Sequence, residues 1–477
     1  MRHVAGSLVA VCGLVVGAGC GDSSSDPFVG LVRVSGTSPF GQDCGGVRQQ
    51  GTNFSGMEVE PSVAVDPTNA AHLVGAWQQD RWSNGGANGI GTATSFDGGK
   101  TWTKTTPRFG RCGGGDAGNG ADYDRATDPW VAFAADGTVF LAALVFDSTT
   151  PRNAIVASRS NDGGLTWTDP TVLRADNDPD VFNDKDSITA DPADPGRVYA
   201  VWDRLTGQTQ PTMPIGTGPT WFARTTDGAW EPARAIYDPG IDAQTIGNVI
   251  AVLPDGTLID ALDLITQASS NAPVNTLAVI RSTDKGQTWS DAIKIAPMRA
   301  LGVQDPNTNV FIRTGTILPE IAVDRASGAV YIVWENAPAG TSTDGIALVR
   351  SVDGGLTWST PTYVNGALDA AAFTAMVAVT ADGTVGVTYY DLRSARLTDT
   401  KTFPVTAWLA TSRDGGQTWS DEALSEPFDL RPARLIDAYF LGDYQGLVLS
   451  EGAFLPFFVA ATPGDDKTSV FVRPRGF

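Results

Sequence analysis

Acidic, basic and aromatic side chains gather at two recurring places along this 477-residue chain. Just before or at the start of one class of short apolar run stand Glu58, Glu60, Asp124, Arg125, Asp128, Asp184, Lys185, Asp186, Glu320 and Asp443. At or just past the end of the following run stand Asp80, Arg81, Asp147, Asp203, Arg204, Asp263, Glu335, Asp391 and Arg393, with Trp82, Tyr123, Tyr389, Tyr390 and Tyr444 among them. Carboxylates move protons, guanidinium groups fork onto carboxylates, and rings stack on flat faces. Around one mouth, that mixture suits a polar ligand such as a sugar. The competing reading is solvated loop ends and ion pairs between sheets.

Other chemistries are excluded more firmly. The histidines are His3 and His72 alone, so there is no His-based triad and no His-rich zinc site. No Gly-rich phosphate loop follows a strand and opens a helix. The net charge of −20 repels phosphate and argues against nucleic acid as a partner. No cofactor is required. The stretches 113–128 and 176–186 are rich in Asp, Asn and Gly, the ligand types of Ca²⁺ loops, but neither follows EF-hand spacing.

The elements that must position these residues are set by a repeat. Ser95-Phe-Asp97-Gly-Gly99-Lys-Thr101-Trp102 recurs from Ser160, Ser282, Ser351 and Ser412, with Asp162, Asp284, Asp353 and Asp414 in the place of Asp97. A shortened copy, Thr225-Thr-Asp227-Gly-Ala-Trp230, lies between the second and third. Asp accepts backbone N–H bonds in a tight turn, Gly takes positive φ, and Trp anchors the turn in apolar surroundings. The six Asp residues are therefore structural. Each motif follows two strand-like runs, such as Ile321-Ala-Val-Asp324 and Val330-Tyr-Ile-Val-Trp334. A third run leads into the motif and a fourth strand starts at its Trp.

Four antiparallel strands of this length form one propeller blade. First strands start near Pro61, Pro129, Ser187, Asn248, Glu320, Ala375 and Tyr444. The expected fold is all-β: a seven-bladed propeller, with six blades as the alternative. The last unit has three strands, and the apolar run 28–34 can supply the fourth and close the ring. The motif turn joins the third strand to the fourth, at the end of the blade opposite the charged positions.

The first residues read as a leader. Arg2 and His3 precede an apolar stretch that ends in Gly17-Ala18-Gly19-Cys20, which is similar to a bacterial lipoprotein processing site. The expected division is a signal peptide over 1–19, a linker over 20–27 and one propeller domain over 28–477. Cys20 is the lipidated residue of a monomer anchored in the cell envelope, with ordinary secretion as the alternative. Cys44 and Cys112 then remain as an even pair in an oxidising compartment, the setting of a disulfide.

The repeated motif resembles the Asp-box, or bacterial neuraminidase repeat, of the sialidase superfamily, and the resemblance runs from Glu60 to the C-terminus. Glu60-Pro-Ser-Val-Ala-Val-Asp66 and Leu441-Gly-Asp-Tyr-Gln-Gly446 are similar to bacterial proteins labelled exo-α-sialidase. The resemblance implies a glycoside hydrolase with a Tyr nucleophile paired with Glu, an Asp acid/base, and three Arg on the substrate carboxylate. In this chain it points to Tyr390 (or Tyr389), Glu335 (or Glu320) and Asp391. Around them, Asp80, Arg81, Asp128, Asp203, Arg204, Glu320, Arg393, Asp443 and Tyr444 would bind a carbohydrate ligand. Where the family carries an Arg-Ile-Pro segment, this chain reads Val59-Glu60-Pro61, so one Arg is missing. The readings are a hydrolase with a diverged pocket, a non-catalytic cell-surface propeller that binds glycan or protein, and a structural envelope lipoprotein.

Overall fold

A computed structural model describes residues 26–41, 44, 49–207, 216–267, 272–397, 401–462 and 467–475. The leader over 1–19 and Cys20 lie outside them. Apart from two short 3-10 turns, Arg111–Gly113 and Arg431–Ala433, every regular element described is a β-strand. None of the described elements is a helix long and apolar enough to cross a membrane.

The strands follow one another as antiparallel meanders. Glu58–Asp66, Asn69–Arg81, Ala87–Ser95 and Thr103–Thr105 pair in that order. The next run is Arg125–Phe133, Val139–Phe146, Asn153–Ser160 and Thr171–Asp176. Further runs begin at Val181–Ala190, Ala243–Val252, Glu320–Val323 and Ala372–Val379. The last holds Gly446–Ser450, Ala453–Ala461 and Thr468–Val472. From the far end of the chain, Val32–Arg33 pairs antiparallel with Thr468–Val472, placing Val32 opposite Val472.

The runs are continuously apolar rather than alternating because neighbouring sheets cover both faces of the central strands. Val139–Phe146 is buried at every residue but its last, and Val330–Asn336 likewise. The core lies between successive sheets: Val74, Ala76 and Ile90 of the first run pack with Val131, Leu141 and Val156 of the second, beside Trp167. First strands of successive runs lie side by side, and Gly446–Ser450 lies beside Glu58–Asp66.

The motif turns are built alike. Asp97 Oδ1 accepts from Ser95 Oγ (2.8 Å) and Thr101 N (2.9 Å), and its Oδ2 accepts from Thr101 Oγ1 (2.7 Å). Asp162, Asp284, Asp353 and Asp414 repeat the pattern. Gly98 and Gly99 carry the positive φ values of 71° and 89° that close the turn. Cys44 and Cys112 are joined by a disulfide, their Cα atoms 5.0 Å apart.

Two features are absent from the sequence reading. Several first strands begin a few residues earlier than their apolar runs suggest and carry a β-bulge. The ladder slips between Val59 and Ser62, Thr127 and Trp130, Asp184 and Ser187, Ile246 and Val249, and Phe373 and Met376. Further, segments between runs form a separate three-stranded sheet of Val303–Gln304, Phe311–Arg313 and Ala438–Phe440, with Phe311–Arg313 parallel to Ala438–Phe440.

Candidate functional site

Each bulge holds one residue in the left-handed region: Glu60 (φ 54°), Asp128 (φ 52°), Lys185 (φ 47°), Gly247 (φ 71°) and Thr374 (φ 50°). Such backbone is unfavourable for residues other than glycine, and non-glycine residues there concentrate at functional positions. Three of these five bring their side chains to one point. Lys185 Nζ lies 2.7 Å from Asp443 Oδ2, 3.1 Å from Asp128 Oδ1 and 3.4 Å from Glu60 Oε1. Asp443 is also gripped by Arg313, whose Nε donates to Oδ1 at 2.9 Å and whose Nη2 pairs with Oδ2.

Aromatic rings complete the site. The guanidinium groups of Arg313 and Arg81 lie 4.8 and 4.9 Å from the Phe440 ring centre. Tyr444 sits 5.9 Å from Lys185 Nζ, and its hydroxyl donates to the Pro129 carbonyl at 3.2 Å, tying down the bulge that carries Asp128. A cleft of ≈ 400 Å³ opens here, lined by Glu60, Arg81, Asp128, Asp184, Lys185 and Arg313 among others. The Arg313 side chain is 46% exposed and Lys185 only 11%, so an incoming ligand meets Arg313 first.

The environments push the carboxyl groups apart. Burial raises Glu60 well above the usual carboxylate range; Lys185 opposes this, and the negative charges of Asp128 and Asp443 add to it. Burial also works against ionised Asp443, but Lys185 and Arg313 outweigh it and hold that carboxyl well below its usual value. Asp184 is pushed up to about 6 by burial and the Asp128 charge, against the pull of Lys185. Asp186 is raised well above its usual value by burial and Asp128, and neither of its oxygens has a hydrogen-bond partner outside its own residue. Among the described residues no group of three or more His, Cys, Asp or Glu is placed to hold a metal ion.

The residues singled out in the sequence divide between this cleft and other places. Arg81, Asp128, Asp443 and Tyr444 belong to the site. Tyr390 is in the core between Phe373 and Phe458; its hydroxyl donates to the Val459 carbonyl at 2.7 Å, and the Val459 N–H donates back at 3.1 Å. That places it among apolar residues rather than at the cleft. Glu335 accepts from the Thr374 N–H at 2.7 Å and from Thr314 Oγ1 at 2.8 Å, so it caps a bulge of the next sheet. Burial pushes it up to about 8. Asp203 does the same for Gly247, accepting its N–H at 2.9 Å. Asp391 accepts from Trp408 Nε1 at 3.0 Å and pairs with Arg393, which stacks 3.7 Å from the Trp408 ring centre and donates to Tyr389 Oη and Asp421. Arg204 forks onto Asp176. Asp80 accepts from Gly56 N and Ser38 Oγ. Glu320 is buried and pushed up to about 8 by burial. A second cavity of ≈ 560 Å³ beside Arg393 includes Asp369 but no carboxylate pair.

Arg313 and Phe440 escaped the sequence reading, because both come from the inter-run segments that build the small sheet. The signal for the rest was the charged residue just before Pro61, Pro129 or Asp186, at matched positions of the repeat.

The BNR/Asp-box repeat family model matches residues 93–104. The xyloglucanase Xgh74A of Acetivibrio thermocellus is 27% identical over 236 residues, 46% of this chain and 25% of that protein. A Paenibacillus xyloglucanase is 27% identical over 188 residues, 37% of this chain and 16% of its own length. The chain thus spans only a minor part of these curated relatives. Among solved structures, the Penicillium chrysogenum α-L-arabinanase complexed with arabinobiose superposes with a TM-score of 0.47 at 14% identity, covering 93% of this chain and 97% of that one. The leech intramolecular trans-sialidase gives 0.42 at 14% identity, covering 89% and 70%. One of the motif turns, from Ser95 to Trp102, thus matches the BNR/Asp-box repeat, the repeat through which the chain is similar to the sialidase superfamily.

Proposed function

We propose that this chain is an exported, lipid-anchored propeller of seven blades, closed by its N-terminal strand, that acts on glycans as a glycoside hydrolase with a pocket diverged from that of sialidases. The observation that carries the activity is Glu60 and Asp443 on one ammonium, with their proton affinities driven in opposite directions. Glycosidases need one carboxyl that holds its proton and one carboxylate that does not. Glu60 is the proton donor to the glycosidic oxygen. Asp443 stays ionised and bonds to the anomeric carbon as the protonated leaving group departs, and water deprotonated by the Glu60 carboxylate left behind then displaces it to release the sugar. The Glu60 and Asp443 oxygens lie at most the two legs through Lys185 Nζ apart, 3.4 and 2.7 Å. That is short of the separation of about 6.5–9.5 Å that inverting hydrolases use, so a retaining outcome is expected. Arg313, Lys185 and Arg81 stand where a polar or anionic sugar substituent would dock.

One observation favours a non-catalytic glycan-binding propeller: Lys185 and Arg313 already balance the carboxylates, and Glu60 is fully enclosed. A hydrolysis screen separates the two. Chromogenic α-sialosides, arabinosides and xylosides, together with xyloglucan and arabinan, are offered to the signal-less protein and to Glu60→Gln. Turnover that falls by about 10²-fold or more in Glu60→Gln, at unchanged melting temperature, supports the hydrolase. Silence across the panel with retained glycan binding supports the second reading.

A further inference from the structure

The hairpin of the small sheet runs from one hollow of the molecule to the other. Its strands, Val303–Gln304 and Phe311–Arg313, are joined by a turn over 305–310, closed where Asp305 N donates to the Val310 carbonyl at 2.9 Å. That turn rests on the loop after Val385–Asp391: Asn307 Nδ2 donates to the Arg396 carbonyl at 3.2 Å. The same loop, with Gln304, walls the ≈ 560 Å³ cavity. At the other end of the second strand, Arg313 lines the cleft and holds Asp443. The base of the hairpin is fixed as well, since Asp344 accepts from Leu301 N at 2.9 Å and from Gly302 N at 2.8 Å.

Strand alternation decides what the hairpin shows to solvent. Val303 and Ile312 are buried and face one way; Gln304, Phe311 and Arg313 face the other and are exposed. Phe311 is 55% exposed, directly opposite Gln304 and two residues from Arg313. Single exposed apolar side chains are commonplace on protein surfaces and by themselves ask for no ligand. This ring differs by its place. It stands on the divide between cleft and cavity, on a strand anchored at both ends, about 7 Å along the chain from the guanidinium that a ligand meets first. The cavity carries polar groups, Gln304, Asp369 and Arg396 among them, but no carboxylate pair. It can hold a sugar chain and has nothing with which to cut one.

We propose that the cleft, the Phe311 ridge and the cavity form one continuous binding surface for an extended glycan chain. The cleft takes the units beside the cut, the Phe311 ring stacks on the apolar face of the next, and the cavity receives those beyond. Given the glycan-acting reading of the cleft, on which this rests, the substrate is a chain of several units engaged within its length rather than a single terminal sugar. Hydrolysis then breaks an internal glycosidic bond. Water gives its hydroxyl to one fragment and a proton to the other, and both fragments are oligosaccharides.

The test measures how affinity grows with chain length. Fragments of arabinan, xyloglucan and oligosialic acid, each from disaccharide to octasaccharide, are titrated by calorimetry into the full mature chain carrying Glu60→Gln, so that cutting does not consume the probe. At least one series should bind about tenfold or more tighter at its long end than as the disaccharide. Phe311→Ala should remove about tenfold of that gain from the middle lengths onward. Arg396→Ala should reduce it for the longest members only, because its loop meets the far end of the hairpin. A role confined to folding would weaken every length alike, and the melting temperatures of both variants are followed alongside. Equal affinity at every length, a gain indifferent to both substitutions, or no binding by any series overturns the proposal. Turnover by the unsubstituted chain is scored separately. Its absence would sink the hydrolase reading and leave the length dependence readable, whereas release of single terminal sugars alone would sink the extended site.

Discussion

Lys185 is the residue on which the candidate site balances. Three carboxylates converge on its ammonium, and taking it away leaves them facing one another in a nearly closed space. Removing one partner of a buried charge network costs about 3–5 kcal/mol, most of it from the charges left behind. Lys185→Met should therefore lose about that much stability in denaturant unfolding, and the loss should grow from pH 5 to pH 8 as the stranded carboxyls are driven to ionise. An unchanged unfolding midpoint would mean that the ammonium is not holding the cluster. At this scale the sequence was only partly legible. It marked Asp128 and Asp443, and it marked Asp203 and Glu335 in the same terms, because a carboxylate at a strand end looks alike whether it faces a cleft or caps a neighbour's N–H. Tyr390 looked reactive beside Asp391, yet its hydroxyl is spent on the Val459 backbone.

At the scale of elements, the Asp-box turns were readable because the bonds their Ser and Asp side chains make are local, spanning four residues at most. The bulges were not. A bulge depends on which residue of the next strand lies opposite, and only the folded register shows that Thr374 slips out of line and is caught by Glu335. This gives Glu335 a structural duty with a testable signature. Glu335→Ala leaves the Thr374 N–H unsatisfied and should cost about 1–3 kcal/mol. Glu335→Gln should be nearly neutral at pH 7, where burial already keeps the acid protonated up to about pH 8. Both are measured by chemical unfolding. A cost as large for Gln as for Ala would show that the charged form is the one the bulge needs. The small sheet that delivers Arg313 was illegible for a different reason: its parallel strands, Phe311–Arg313 and Ala438–Phe440, come from distant segments too short to show a period.

Over the whole molecule, enclosed carboxyl groups set how stability responds to pH. Burial raises Asp184 to about 6, Asp263 to about 7, and Glu320 and Glu335 to about 8. In the unfolded chain such groups ionise near pH 4. Between those limits the native state binds more protons than the unfolded one, so stability falls as pH rises. The stability these groups contribute is complete below about pH 4 and is lost as pH climbs through 6 to 8. Asp443, whose carboxyl is held low, acts only at the acid end, where protonating it removes stability. The melting temperature should accordingly be higher at pH 5 than at pH 8. A flat or rising profile across that range would show that the enclosed carboxyls are hydrated. The pairing of the first described strand with the last sets a different limit, one of timing. Ser35 Oγ takes the Val470 N–H across 435 positions of chain. The outer strand of the final sheet therefore has nothing to join until the chain has been made as far as Thr468–Val472. A chain that stops short of Thr468 leaves both Val32–Arg33 and the Ala453–Ala461 edge without a mate, an open border to which another unfinished copy can add.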